Sequence, residues 1–315
     1  MGHTGDWTVE VEELSKTYPG GVEAVRQVSF CVAPGEVFGL LGPNGAGKST
    51  TIGMLTTTIR PTAGSARLAG FDVARNPRQA RAVSSVVFQD AVVDRALTGR
   101  QNLQLHARLW GVGSETAERR IGELAEIFGL GSLLRREVEH YSGGERRRLE
   151  IARALISDPK VLFLDEPTVG LDTRIRYELL DLIAGIRSRS GMATVLTTHY
   201  LDEAERLCDR IAILHQGRVV ALDPPKKLLH ELGHELVELR VAGDPGEALT
   251  KLRHAGIAVD GAFSVGSTLT VPMDRSAADA LETIRNLGID TESLTTRRPT
   301  LDDVYLQLTG SRLAA

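Results

Sequence analysis

The sequence has few cysteines, little net charge and no long apolar run. The 2 cysteines among its 315 residues exclude a disulfide framework and fit a reducing compartment. A formal net charge of −4 argues against bulk nucleic-acid binding. No segment approaches the roughly 18 uncharged apolar residues of a membrane span, and the first residues lack the pattern of an export signal. The length exceeds that of one typical domain, so we expect two parts. The absence of a membrane span and of an export signal, together with the few cysteines, leads us to expect a soluble, cytoplasmic protein.

A glycine-rich loop carries the strongest chemical signal. Residues 42–50 have the sequence GPNGAGKST and lie between an apolar run, 37–41, and a helical pattern that follows. Glycines let backbone N–H groups approach an anion, and a helix start favours negative charge. In this pattern the lysine, Lys48, reaches the β- and γ-phosphates, and the next hydroxyl, Ser49, binds Mg²⁺. The loop predicts binding of ATP or GTP.

A second motif is a short apolar run that ends in two acids. Residues 161–164 are apolar and are followed by Asp165 and Glu166, as in a buried parallel strand with function at its carboxyl end. Asp165 is placed to hold Mg²⁺, and Glu166 to polarise the water that attacks the γ-phosphate. Taken alone, the motif equally fits a strand–loop junction with solvated acids.

A third motif begins a helix. Residues 141–147, YSGGERR, precede apolar positions at helical spacing, so Ser142 is predicted to be the N-cap. Gly143 and Gly144 permit close backbone contact, which makes this helix start a second anion site. One nucleotide in one chain does not need two anion sites of this kind. Two sites are explained if two chains pair, and each chain supplies its Ser142 site to the nucleotide bound in the glycine-rich loop of the other chain. The alternative is a capped helix with a solvated basic face.

In their order along the chain, 42–50, 141–147 and 161–166, the three motifs resemble those of the ATP-binding cassette family of ATPases, and the resemblance covers about the first 225 residues. The resemblance implies ATP hydrolysis with Mg²⁺. It implies four catalytic residues, namely Lys48, Gln89, Glu166 and His199. It implies three residues around the metal, namely Ser49, Gln89 and Asp165. It implies nucleotide contacts from Tyr18, Gly42, Asn44, Gly45, Gly47, Lys48, Ser49, Thr50, Ser142, Gly143, Gly144 and Asp172.

The third motif departs from the family pattern in two respects. Glu145 stands where the family commonly has glutamine, and Arg146, Arg147 and Arg148 make the helix start basic. An acid suits the positive end of the helix dipole. We therefore expect an active ATPase.

The predicted fold class is α/β, with a second, smaller α+β domain. Residues 1–225 are expected to form a P-loop NTPase cassette with a parallel core sheet, an antiparallel edge sheet and a helical subdomain at about 90–141. After Pro224 and Pro225, alternating patterns predict the order βαββαβ of a ferredoxin-like domain in residues 226–315. Its predicted elements are strand 236–241, helix 245–255, strands 257–265 and 268–273, helix 276–287, strand 289–294 and a final helix 301–308.

Two further segments, 97–103 (LTGRQNL) and 298–310 (RPTLDDVYLQLTG), resemble the daunorubicin-resistance type of exporter ATPase. That resemblance implies a separate ABC-2 type membrane permease, a homodimer of cassettes, a peripheral position at the cytoplasmic face of a bacterial membrane, and efflux of a drug-like or other hydrophobic compound. Two alternatives stay open. One is a soluble cassette ATPase that serves nucleic acid, ribosomes or cofactor assembly, and the other is a regulatory nucleotide-binding protein.

The final helix poses a separate question. Leu301, Val304, Tyr305 and Leu308 share one helical face, which either packs on its own sheet or docks on a partner chain.

Overall fold

The computed structural model describes residues 7–90, 92–257, 261–273 and 278–310, and the chain divides between Leu222 and Asp223 into two compact units. Within these residues, no helix is both long enough and apolar enough to cross a membrane. The elements of the first unit, in chain order, are β1 (Val9–Thr17), β2 (Glu23–Val32), β3 (Val37–Leu41), α1 (Lys48–Leu55), β4 (Ala63–Leu68), β5 (Phe71–Asp72), α2 (Pro77–Ala82), β6 (Ser84–Val87), α3 (Gly99–Leu109), α4 (Ser114–Ile127), a 3-10 turn (Val138–His140), α5 (Gly143–Leu155), β7 (Val161–Asp165), α6 (Thr173–Ser190), β8 (Ala193–Thr198), α7 (Leu201–Leu207), β9 (Arg210–His215) and β10 (Arg218–Asp223).

The core of this unit is a six-stranded sheet with the order β10-β9-β3-β8-β7-β6. Strands β9, β3, β8, β7 and β6 pair in parallel, and every residue of β3, β7 and β8 is buried. Continuous apolar runs suit such strands because helices cover both faces of a parallel sheet. The register places Leu41 beside Thr198, and Asp165 beside Thr197. The loops after β3, β7 and β8 therefore emerge at one edge.

A second sheet is antiparallel and has the order β2-β1-β4-β5. Alternation along β1 buries Val9, Val11 and Leu14 against the same apolar cluster as the helix α1 residues Ile52 and Met54. Tyr18 lies in the turn between β1 and β2, where its N–H donates to the Val22 carbonyl at 2.9 Å. Both predicted sheets of the cassette are thus present.

Helices α3 and α4 lie in the predicted helical subdomain. Helix α3 begins at a capping box in which Thr98 and Gln101 satisfy each other's backbone N–H groups. Asn102 is 4% exposed, and its side chain bonds the N–H and carbonyl of Asp94 at 2.9 Å each. The segment 97–103, which suggested a subfamily, therefore has a structural role in fixing the loop before α3.

The second unit contains α8 (Pro225–Glu231), β11 (Glu235–Val241), α9 (Pro245–His254), β12 (Phe263–Val265), β13 (Thr268–Met273), α10 (Ala278–Asn286), β14 (Thr291–Arg297) and α11 (Leu301–Thr309). Its sheet has the order β12-β13-β11-β14, and each neighbouring pair is antiparallel. This confirms the predicted ferredoxin-like order βαββαβ. The predicted strand 257–265 is wrong in length, because the described strand covers only 263–265; positions 258–260 and 274–277 lie outside the described residues.

Two features of this unit bear on the sequence predictions. No helix was predicted directly after Pro224, yet Pro225 occupies the first turn of α8, where its fixed φ and missing N–H are tolerated. In α11, the residues Leu301, Val304 and Tyr305 are buried within the chain, and only Leu308 is exposed, at 43%. Three of the four residues on the predicted docking face are therefore not accessible to a partner, which favours packing within the chain.

Candidate functional site

The phosphate loop connects β3 to α1, and its glycines are required by close contacts with backbone. A Cβ at Gly42 would lie 2.5 Å from the carbonyl oxygen of Leu214. At Gly47, which has φ of 105°, a Cβ would lie 2.5 Å from the carbonyl oxygen of Ala24. At Gly45, with φ of 81°, a Cβ would meet nothing within 4 Å. The loop is therefore packed against protein on one side and open at Gly45, as a phosphate-binding loop requires.

Lys48 is the first residue of α1 and is 4% exposed. Its Nζ donates to the carbonyl oxygens of Gly42 and Pro43 at 2.7 and 3.2 Å, and it lies 3.2 Å from Oε1 of Glu166. The ammonium is thus held over the loop by groups that satisfy its three donors. A γ-phosphate entering the loop would compete with Glu166 for this ammonium.

Three oxygen-bearing side chains meet where β7, β8 and α1 approach one another. Asp165 Oδ1 accepts from Thr197 Oγ1 at 2.6 Å and from Ser49 Oγ at 3.3 Å. Mg²⁺ prefers hydroxyl and carboxylate oxygens and usually retains several waters. Ser49 is exposed and Asp165 is 7% exposed, so the donor set fits a metal that also contacts a nucleotide.

Glu166 occupies an unusual backbone conformation directly after β7. Its φ is 45°, and its N–H bonds both the hydroxyl and the carbonyl of Thr197, at 2.9 and 3.2 Å. A non-glycine residue in the left-handed region is held there by its surroundings and is common at functional sites. Oε2 of this carboxylate lies 3.3 Å from Nδ1 of His199, a ring nitrogen that has no hydrogen-bond partner in this arrangement. Glu166 therefore lies between Lys48 and His199.

Helix α5 begins at the third motif, and Ser142 is confirmed as its N-cap. Ser142 Oγ accepts from the Glu145 N–H at 3.2 Å, and the Glu145 carboxylate accepts from the Ser142 N–H at 2.7 Å. This capping box explains why an acid serves at the position where the family commonly has glutamine. Gly144 faces helix α6, where a Cβ would lie 2.5 Å from Cγ2 of Ile175.

Nine of the predicted site residues fall into two groups in this single chain. Lys48, Ser49, Asp165, Glu166 and His199 are joined by the contacts given above. The other group lies in exposed or half-buried loops: Tyr18, whose ring centroid is 5.2 Å from Lys16 Nζ, Gln89, Ser142, and Asp172, which accepts from the Ile175 N–H at 3.0 Å as the N-cap of α6. The nucleotide roles of all these residues stay predictions.

Sequence reasoning missed a buried carboxyl beside the site. Glu203 in α7 is 0% exposed and accepts hydrogen bonds from Thr168 and, at 2.7 Å, from Thr198. Burial raises the pKa of Glu203, although the two hydroxyls and Arg176 oppose this effect. Glu203 thereby connects the loop after Glu166 to the strand end before His199. The signal that could have pointed to Glu203 is its position only a few residues after His199 in the sequence.

Comparison with known proteins agrees with this geometry. The family model described as ABC transporter matches residues 25–169. The daunorubicin resistance ATP-binding protein DrrA3 of Streptomyces coeruleorubidus is 40% identical over 97% of this chain and 96% of its own length. The Nod factor export ATP-binding protein I of Rhizobium etli is 38% identical over 97% of this chain and 94% of its own length. The chain belongs to the ABC transporter family.

A solved structure extends the comparison. The dimeric, post-hydrolysis structure of an ATP-binding cassette bound to ADP and Pi aligns with a TM-score of 0.62 and 25% identity, covering 69% of this chain and 98% of that one. The chain is accordingly an ATP-binding and ATP-hydrolysing subunit of a transporter. This decides against the alternatives of a nucleic-acid, ribosomal or purely regulatory cassette.

Proposed function

We propose that the chain powers efflux of a drug-like or other hydrophobic compound through a separate ABC-2 type permease. It would act as a homodimer on the cytoplasmic face of a bacterial membrane. The similarity to resistance and export subunits spans both units of the chain, which supports this proposal. The observation that carries it is an exposed apolar surface beside Gln89.

That surface borders a groove of about 350 Å³. Three large apolar residues that line it are exposed by 42–69%, namely Val92, Leu109 and Trp110, and Leu105, one turn before Leu109 on α3, is also exposed. Exposed apolar patches of this kind mark interaction sites. Among the described residues, Arg81 and Arg153 line the groove and no acid does, so an apolar segment with a carboxylate would complement it. Burial, and then the charge of Arg153, lowers the pKa of His106 in this groove to about 4, so its ring is neutral at neutral pH.

In the proposed mechanism, Glu166 accepts a proton from the water that attacks the γ-phosphate. Lys48 and His199 stabilise the phosphoryl charge, and the left-handed backbone of Glu166 aims its carboxylate between them. Ser49 and Asp165 would hold Mg²⁺, with Gln89 as the third residue around the metal. The metal would neutralise charge on the phosphate oxygens.

Pairing of cassettes completes the site in this proposal. Ser142 and Asp172 are exposed, and their helix starts would face the nucleotide of the partner across a two-fold axis. Sedimentation of Glu166→Gln in saturating Mg-ATP is expected to show a dimer, because binding persists while hydrolysis stops. A monomer under these conditions would contradict the homodimer and favour pairing with a different cassette.

The permease contact has its own test. Co-expression with a permease encoded beside the gene is expected to bring the chain to the membrane fraction. Leu109→Glu, which places a charge in the exposed apolar surface, should abolish this recovery and leave ATP binding unchanged. Val220→Glu on β10, at a residue that is 36% exposed, is the matched control. Recovery of the Leu109→Glu protein at the control level would refute the proposed surface.

A further inference from the structure

Arg147 is a buried guanidinium in the first turns of α5. It is 6% exposed, whereas its neighbours Arg146 and Arg148 are half-buried. A charged side chain is rarely buried unless it is paired and hydrogen-bonded. The contacts of Arg147 therefore indicate why a charge is retained at this position.

One side of the guanidinium binds the backbone of the loop after β7. Nε donates to the Pro167 carbonyl at 2.6 Å. One terminal nitrogen donates to the carbonyls of Glu166 and Asp165, at 3.2 and 3.4 Å. These carbonyls flank the strained φ of Glu166, so Arg147 restrains the peptide units on either side of that residue.

The other side of the guanidinium binds the segment that carries Gln89. The second terminal nitrogen donates to the Phe88 carbonyl at 2.6 Å and pairs with Glu150 Oε2 at 3.0 Å. The other oxygen of Glu150 accepts from the Val92 N–H at 2.8 Å. Arg147 and Glu150 together hold both flanks of Gln89.

From these contacts we propose that Arg147, paired with Glu150, is a positioning residue that couples the Gln89 segment to the backbone of Glu166. The coupling follows from geometry, since one rigid planar group bonds both segments through all three of its nitrogens. Displacement of Phe88 or Val92 by a docked partner would then change the orientation of the Glu166 carboxylate. The inference rests on the proposed function, in that Glu166 is the base and the surface at Val92 is the docking surface.

The first test compares hydrolysis with binding in the purified full-length chain. Arg147→Met is expected to lower kcat at least tenfold and to change the Kd of a fluorescent ATP analogue by less than twofold. Arg147→Lys should be intermediate, because lysine keeps the charge and loses the planar fork. Arg148→Met is the matched control, because the half-buried Arg148 side chain bonds the Phe128 carbonyl at 3.5 Å, away from Glu166 and the Gln89 segment, and this variant should retain wild-type kcat. An unchanged kcat in Arg147→Met, or equal losses in kcat and affinity, would overturn the proposal.

A second measurement distinguishes coupling from a general packing role. Glu150→Gln preserves shape, and one amide cannot replace both oxygens of the carboxylate. Amide hydrogen exchange should become faster in the peptides containing Val92 and Glu166, in both Arg147→Met and Glu150→Gln, with helix α5 unchanged. Faster exchange in only one of these peptides, or in α5 itself, would refute the coupling.

Glu166→Gln in the same hydrolysis assay separates the two proposals. If it retains wild-type hydrolysis, the proposed role of Glu166 fails. If it is inactive while Arg147→Met is fully active, only the coupling proposal fails.

Discussion

Both units of this protein contain an arginine–carboxylate cluster, and the clusters differ in burial and in what surrounds them: Arg147 and Glu150 are both buried, whereas in the second unit only Asp303 is. In the first unit, Arg147 and Glu150 contact loops that follow parallel strands at the edge of the sheet where Lys48, Glu166 and His199 meet. In the second unit, Arg297 on β14 pairs with Glu238 on β11 at 2.7 Å and with Asp303 on α11 at 2.6 Å. There the charges join a sheet to the final helix.

The comparison shows that buried charge alone does not identify a catalytic site. Asp303 also accepts from the N–H and hydroxyl of Thr300, both at 2.8 Å, and so completes the capping box of α11. Its acceptor capacity is used by structural partners. In the first unit, by contrast, His199 Nδ1 has no hydrogen-bond partner and Ser49 is exposed. Spare capacity for hydrogen bonds therefore distinguishes the group of Lys48, Ser49, Glu166 and His199, called the chemical cluster below, from the cluster of Arg297, Glu238 and Asp303, called the structural cluster.

The largest expected effect is on the chemical cluster. Glu166→Gln should lower kcat by about 10²-fold or more, because a general base contributes on that scale, with ATP affinity unchanged. Lys48→Ala should instead weaken ATP binding by about tenfold or more, since a charge-assisted contact with phosphate is lost. His199→Ala should resemble Glu166→Gln. Steady-state ATPase assays and nucleotide titrations measure both quantities, and equal loss of affinity in all three variants would contradict these roles.

Substitutions in the structural cluster should lower the stability of the protein without changing the rate of ATP hydrolysis. Asp303→Ala removes one of the two carboxylate partners of Arg297 and the capping box of α11, which should lower the free energy of unfolding of the second unit by about 1–2 kcal/mol. Basal ATPase activity should stay within twofold of wild type. Chemical denaturation monitored by circular dichroism and an ATPase assay test this, with Asp302→Ala at a half-buried neighbouring position as control. Loss of ATPase activity in Asp303→Ala alone would show that the two clusters are not separate in function.

Lowering the pH should reduce the stability that the cluster of Arg297 and Asp303 contributes. Burial alone would raise the pKa of Asp303, but hydrogen bonds from Arg297 and Thr300, together with the Arg297 charge, lower it overall. A carboxyl with a lowered folded-state pKa contributes stability above its ordinary pKa of about 3.9, and this contribution is lost as pH falls through the folded-state value. Thermal unfolding of Asp303→Asn should therefore depend less on pH below about pH 4 than that of the wild type. Equal pH dependence of the two proteins would contradict the lowered pKa.

The smallest expected effect concerns the capping box of α5. Glu145→Gln retains an acceptor for the Ser142 N–H and should change stability by less than about 0.5 kcal/mol and ATPase activity by less than twofold. Glu145→Ala should cost about 1 kcal/mol, because a cap is lost. Thermal unfolding and ATPase assays of both variants decide this. A large loss of activity in Glu145→Gln would indicate that the carboxylate has a chemical role beyond capping.

The sequence predicted most of the fold because its patterns are local. The glycine loop, the run 161–166 and the cap at Ser142 each occupy a few consecutive residues, and their order identified the cassette. The ferredoxin-like order also followed from alternation along short segments. Local patterns missed helix α8, which begins at Pro225, because proline breaks a helix interior and yet suits its first turn.

Contacts between residues that are far apart in the chain were decided only by the tertiary structure. The motif order established a nucleotide-binding cassette, with Lys48 and Glu166 as candidates. The 3.2 Å contact between those two residues, and the Thr197 bonds that support the strained Glu166, depend on how β3, β7 and β8 lie side by side. The same holds for Arg147, which is one of three arginines in a run and is distinguished only by the carbonyls that surround it. Burial and hydrogen-bond geometry arise from packing between segments, and a linear pattern carries no record of either.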